Sequence, residues 1–211
     1  MQRRHFLAAS LLAPATTRAQ TAKPKTPPMA EKIRAFGLEW AVISAADWKV
    51  EGNEVQLVTA RPQQADPRRP IQFALAEMEP LEKFTLEAEV QRSKPKGSLI
   101  LVYAWQKDGY FNYVHLSDDA PSKVEVHNGI FHCYGGDRVR ISPKDGPAGI
   151  ANDEWHKVKV VFDGKEGLVE AWVNGQTTGA LKGADLSLTS GRVGFGSFFN
   201  TAGFRNWKLT R

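Results

Sequence analysis

The most constraining stretch of this chain is its last third, where apolar residues fall at every second position and the runs are cut by turn residues. From Trp155 to Phe162, Val158, Val160 and Phe162 recur at the strand period, and Asp163-Gly164 then supplies residues that tolerate positive φ. Val169, Ala171 and Val173 repeat the pattern before Asn174-Gly175, and GRVGFGS and FRNW close the chain as two further strands. Upstream, Phe84, Leu86, Ala88 and Val90 alternate with Thr85, Glu87, Glu89 and Gln91, the pattern of a strand with one buried and one wet face. Arg61 to Pro70, rich in Pro, Gln and Arg, reads as a loop. Little in the chain has the period of a long amphipathic helix. An all-β fold of two stacked antiparallel sheets follows, with Trp155 and Val160 expected in a strand that anchors the core.

Residues 1–19 combine adjacent arginines (Arg3, Arg4), a short apolar run from Phe6 to Ala15 and small residues before Ala19. That is the anatomy of an export signal, too short and too broken by Pro14 to span a bilayer. The segment RRHFL resembles a bacterial twin-arginine signal, which predicts a periplasmic or secreted protein with no membrane attachment once the signal is removed. Residues 20–32, with Lys23-Pro24-Lys25 and Pro27-Pro28, read as a flexible linker, leaving residues 33–211 as one domain.

Removing Arg3, Arg4 and Arg18 with the signal lowers the formal net charge from +5 to +2. The remaining Lys and Arg are scattered among nearly as many acids, which excludes the basic stripe of a nucleic-acid binder. Cys133 is the single cysteine, so no intramolecular disulfide forms and the fold depends on its own core.

Chemistry concentrates in the middle of the chain. Leu99 to Trp105 and Tyr110 to Ser117 flank Lys107-Asp108-Gly109, a hairpin signal. One face then carries Leu99, Leu101, Tyr103, Trp105, Asn112, Val114 and Leu116 as core. The other carries Phe111, Tyr113, His115 and Ser117, the mixture of rings and hydrogen-bonding tips that lines a saccharide groove. A second hairpin is expected at Val124 to Tyr134 around Asn128-Gly129. It would set Glu125 opposite His132 and put both on one face with His127 and Tyr134. A carboxylate beside an imidazole can act as acid or base, so Glu125 and His132 are the candidate catalytic pair. Tyr113, His115, His127, Tyr134, Arg138 and Arg140 are the candidate ligand-binding residues, the two arginines leaving one strand face as forks that suit carboxylates or hydroxyls. Two histidines and a carboxylate could hold a divalent metal, yet no tight spacing such as HxH or HExxH occurs, so no metal ligands and no cofactor are assigned.

The order WH-V-V, V-WVNG, GRVGFGS and FRNW resembles the closing strands of laminin-G-like and concanavalin-A-like jelly rolls. From Trp40 to Leu209 the chain is similar to exported bacterial domains of the 3-keto-disaccharide hydrolase type, whose last strand reads like Phe204-Arg205-Asn206. It departs from them where they read IGLQ.H, because VGFGSFFN lacks the histidine. The resemblance implies a jelly-roll sandwich with a carbohydrate partner, acting by binding or by hydrolysis of a glycoside. A laminin-G-like protein-interaction module is the remaining alternative. The ExDxxE motif of family 16 glycoside hydrolases, the GxSxG elbow and phosphate-cradling glycine loops are all absent from the sequence.

Overall fold

Alternation gives each strand one apolar face, and two antiparallel sheets bury those faces against one another. The computed structural model describes residues 26–63, 65–93, 97–118, 123–144, 149–175 and 181–211. Among these residues, one sheet has eight strands in the spatial order β1 (Glu31–Ala35), β2 (Leu38–Val42), β5 (Gln72–Ala76), β14 (Arg192–Ser197), β7 (Leu99–Lys107), β8 (Tyr110–Leu116), β9 (Gly129–Tyr134) and β10 (Val139–Arg140). The facing sheet has seven, ordered β13 (Leu181–Ala184), β12 (Leu168–Val173), β11 (His156–Asp163), β6 (Lys83–Arg92), β15 (Ala202–Thr210), β4 (Glu54–Leu57) and β3 (Trp48–Glu51). This is the all-β, two-sheet jelly roll expected from the sequence. No helix among the described residues is long and apolar enough to cross a membrane.

The inner layer is the one the alternation foretold. Val158, Val160 and Phe162 on β11 and Val169, Ala171 and Val173 on β12 all turn inward and are at most 4% exposed. They meet Leu99, Leu101, Tyr103 and Val114 from the eight-stranded sheet in one cluster. Each such valine, leucine or phenylalanine side chain contributes about 1.5 to 3 kcal/mol on burial. Trp40, Phe195, Phe204 and Trp207 pack beside them, and the Trp40 indole N–H donates to the Ala35 carbonyl at 2.9 Å, so its polar atom is satisfied in the core. Trp155 departs from expectation. It precedes β11 and lies half-buried on the outer surface of its sheet, beneath the Arg205 guanidinium at 4.1 Å.

Two local devices shift side chains away from simple alternation. Ala104 has φ of 50°, and the β7–β8 register jumps between Tyr103 and Lys107. That bulge turns Trp105 out of the inner face assigned to it and onto the outer face of the eight-stranded sheet. The second concerns the expected hairpin from Val124 to Tyr134, which does not form. Residues 123–128 make successive turns, and only Gly129–Tyr134 is a strand, paired with β8 on one side and β10 on the other. The reason is Asn128. At φ of 41° its side-chain oxygen accepts from the Ser117 backbone N–H at 2.8 Å while its NH2 donates to the Asp118 carbonyl at 3.2 Å. The Asn-Gly pair therefore caps the end of β8 instead of closing a two-residue loop.

Of the stretch read as a linker, residues 26–32 are described and carry contacts. β1 begins at Glu31, Met29 packs on the outer face of the eight-stranded sheet, and Thr26 Oγ1 accepts from Arg69 at 3.1 Å. Residues 1–19, read from the sequence as an export signal, lie outside the described residues.

Candidate active site

The outer face of the eight-stranded sheet is apolar where a two-layer sandwich ordinarily meets water. Ile100 and Val102 from β7, Phe111 and Tyr113 from β8, and Phe131 and Cys133 from β9 form a second cluster there, each at most 1% exposed. Such a face must be covered, and the segment carrying Pro67, Arg69 and Pro70 is itself buried. Phe198, from the turn after β14, joins the same cluster. Burial pushes the Cys133 thiol up to about 12, which leaves it protonated and inert at neutral pH.

At the β8–β9–β10 end of this face the cover is polar. The Arg138 guanidinium lies over the Phe198 ring at 4.3 Å and over Phe131 at 4.9 Å. Its Nη1 donates to Tyr113 Oη at 3.3 Å and stands 3.4 Å from His115 Nδ1. The backbone N–H of Arg138 donates to the Arg68 carbonyl at 3.0 Å, and Asp137 accepts from the Arg68 N–H at 2.6 Å, so the covering loop fixes the arginine in place. Phe198 stacks on the His115 ring, with centroids 5.8 Å apart and planes 13° from parallel. His127 meets His115 edge-on at 5.9 Å. The Asp118 carboxylate lies 3.0 Å from His127 Nδ1, within contact distance but not aligned as a hydrogen bond.

Electrostatics follow from this crowding. His115 is 3% exposed, and burial first, then the Arg138 charge, hold its pKa well below the ordinary imidazole value. His127 is shifted down less severely, by burial, with the Asp118 charge working against the shift. Both imidazoles are therefore neutral at pH 7. Burial raises the Tyr113 hydroxyl far above its usual value, so it stays protonated. The result is a fixed cation, a phenol and two uncharged nitrogen bases within one constellation.

Four of the eight residues singled out from the sequence, Tyr113, His115, His127 and Arg138, are thus brought together. The others are not. Arg140 donates to the carbonyls of Val124, His127, Asn128, Ser142 and Pro143, so its fork holds the turn after residue 123 against the sheet. Gly129 is required for that clamp, since a Cβ there would collide with the guanidinium. Glu125 sits on the exposed turn, ion-paired to Lys144, and does not oppose His132. With the hairpin gone, that catalytic pair is not assembled.

His132 has a different carboxylate. It points into the gap between the sheets, where its Nδ1 lies 2.9 Å from Asp185 Oδ2 and 3.1 Å from Asn112 Oδ1. The fully buried Asn112 donates to the same Asp185 oxygen at 2.8 Å. Hydrogen bonds from Ser187 and Asn112 outweigh the burial of Asp185 and keep its carboxyl below the usual range. Tyr134, exposed, stacks on His132 at 5.4 Å. Asp185 lies 53 residues from His132 in sequence and belongs to the other sheet's edge, so spacing alone gave no signal of it. Phe198 was the other residue missed. Its signal was available, because counting along VGFGSFFN places Phe198 where the IGLQ.H segment has its histidine. Among the described residues, no group of three or more His, Cys, Asp or Glu side chains converges as a metal site.

Comparison with known proteins agrees with this architecture. The carbohydrate-binding module CBM66 from Bacillus subtilis superposes with a TM-score of 0.62 at 15% identity, over 82% of this chain and 95% of that one. A GH43 protein from Bacillus licheniformis gives 0.54 at 11% identity, over 87% of this chain and 38% of that longer one. A bifunctional GH43-CE protein from Bacteroides eggerthii gives 0.53 at 11%, over 86% and 27%. At these identities the likeness is one of fold. No curated protein sequence matches the chain. Residues 36–210 match the domain described as 3-keto-alpha-glucoside-1,2-lyase-like, and the chain belongs to that family.

Proposed function

We propose that this protein takes a 3-keto glycoside at the Arg138 constellation and eliminates across its C1–C2 bond. The carrying observation is that two neutral imidazoles, 5.9 Å apart, lie with a guanidinium held 3.4 Å from one of them. In a 3-keto sugar the C2 hydrogen is acidic, because the carbanion left behind delocalises into the ketone as an enolate. His127 is the base of choice. It is the less buried of the two, and Asp118 favours the protonated form that proton transfer produces. Arg138 stabilises the enolate oxygen without itself titrating. The C1–O bond then breaks, C1=C2 forms, and the departing oxygen takes the proton back from His127. Tyr113 and His115 position Arg138 from below. The resemblance of RRHFL to a twin-arginine signal supports siting this chemistry outside the cytoplasm.

A second reading, saccharide binding without turnover, is favoured by Phe198 standing where the resembled domains carry a histidine. The same experiment separates the two. Incubation with a chromogenic 3-keto-α-glucoside should release the aglycone together with one unsaturated ketone per turnover. Release with a saturated 3-keto sugar would mean hydrolysis, and saturable binding with no release would leave a lectin-like role.

A further inference from the structure

We propose a second saccharide-binding surface, on the opposite side of the molecule from Arg138, centred on Trp172. The outer face of the seven-stranded sheet holds a hollow of about 600 Å³ lined by Trp172, Lys157, Lys159, Glu87, Glu89 and Asn206. Strand register explains why these meet. Trp172 on β12 is opposite Lys159 on β11, which is opposite Glu87 on β6, which is opposite Lys208 on β15. One pair along, Lys157 faces Glu89, which faces Arg205.

Most of these groups would serve as an ordinary solvated sheet face, but three features do not fit that role. Trp172 is only part-buried, although the outward positions around it are charged. The Lys159 ammonium lies 5.7 Å from its ring and, like that of Lys157, has no ion-pair or hydrogen-bond partner among the described residues. The floor is concave. The carboxylates here are already paired, Glu87 with Lys208 and Glu89 with Arg205 and Asn206, so an aromatic plate beside two unpaired ammonium donors is what the hollow offers to the C–H faces and hydroxyls of a sugar. Charges of opposite sign alternate across the strands, so the surface selects no ion. It matches an uncharged, hydroxyl-rich chain, and the ligand class is a neutral oligosaccharide. This surface is separate from the Arg138 constellation and stands or falls independently of the elimination chemistry.

The test is affinity electrophoresis of the folded protein through gels containing xyloglucan, galactomannan, mixed-linkage β-glucan or dextran, with polygalacturonate as the acidic control. Retardation is expected in at least one neutral gel. Trp172→Ala should weaken it at least about tenfold, the loss of one main contact, and Glu87→Gln with Lys159→Ala should weaken it severalfold. Trp172→Phe, which keeps a ring, should retain part of the binding and guards against misfolding. Arg138→Ala should bind as the parent does. Unretarded parent protein in all four neutral gels, retardation in polygalacturonate alone, full retardation of Trp172→Ala, or loss in Arg138→Ala with retention in Trp172→Ala would each overturn the proposal.

Discussion

Phe198 covers His115 ring on ring, 5.8 Å between centroids and 13° from parallel, while Arg138 lies over the same Phe198 ring. The imidazole is thus kept uncharged by an aromatic lid and a cation together. Removing the lid should show this directly. Phe198→Ala truncates a side chain only 2% exposed and should cost about 3 to 5 kcal/mol of stability. In protein that remains folded, NMR titration should find the His115 pKa moved up toward the ordinary value as water enters. An unmoved titration would mean that Phe198 does not control the site.

The two depressed histidines make stability fall in acid. Their folded pKa values lie below the unfolded value, so below about pH 6.5 the unfolded chain binds protons that the folded one does not. The melting temperature should therefore drop as pH falls from 7 toward 5, at up to about 1.4 kcal/mol per pH unit for each histidine until its folded pKa is reached. Asp185, also shifted down, adds a further loss below about pH 4 with the same sign. Thermal melts of His115→Gln should show a shallower slope between pH 7 and 5, and a slope identical to the parent's would exclude His115 as its source.

His132 and Glu125 should part company. Glu125 is exposed on a turn, so Glu125→Gln should stay within about 0.5 kcal/mol of the parent and keep full activity. His132→Ala leaves Asp185 and Asn112 short of a partner in the gap between the sheets and should cost about 1 to 3 kcal/mol. Chemical denaturation of both variants checks this, and equal effects would restore the Glu125–His132 pair.

What the sequence made legible was whatever alternation controls. The inward sets on β6, β11 and β12, and the outward placement of Phe111, Tyr113 and His115, follow from a period of two. It failed where a single residue breaks that period or competes with it. Ala104 adopts a left-handed backbone and sends Trp105 to the other face. Asn128 has the composition of a hairpin turn, yet its side chain bonds Ser117 and Asp118 instead. That one competition removed the Glu125–His132 pair and delivered His127 to His115. Contacts between distant segments, Arg138 with Phe198 and His132 with Asp185, depend on how loops cross the sheet, which residue spacing does not encode.

Export should depend on the arginine pair. With Arg3→Lys and Arg4→Lys together, a twin-arginine route predicts precursor retained in the cytoplasm. Cell fractionation measures this, and normal export of that variant would assign the general secretory route.

If Arg138 and His127 act on a 3-keto glycoside, steady-state kinetics with a chromogenic 3-keto-α-glucoside should show it in both variants. His127→Gln should lower kcat by about 100-fold or more with KM little changed, as loss of a general base does. Arg138→Ala should lower kcat/KM at least as much, because it removes the charge that meets the enolate. Both variants should keep the parent's fold by circular dichroism. Turnover within twofold of the parent in both folded variants would remove the chemistry from this face of the sheet.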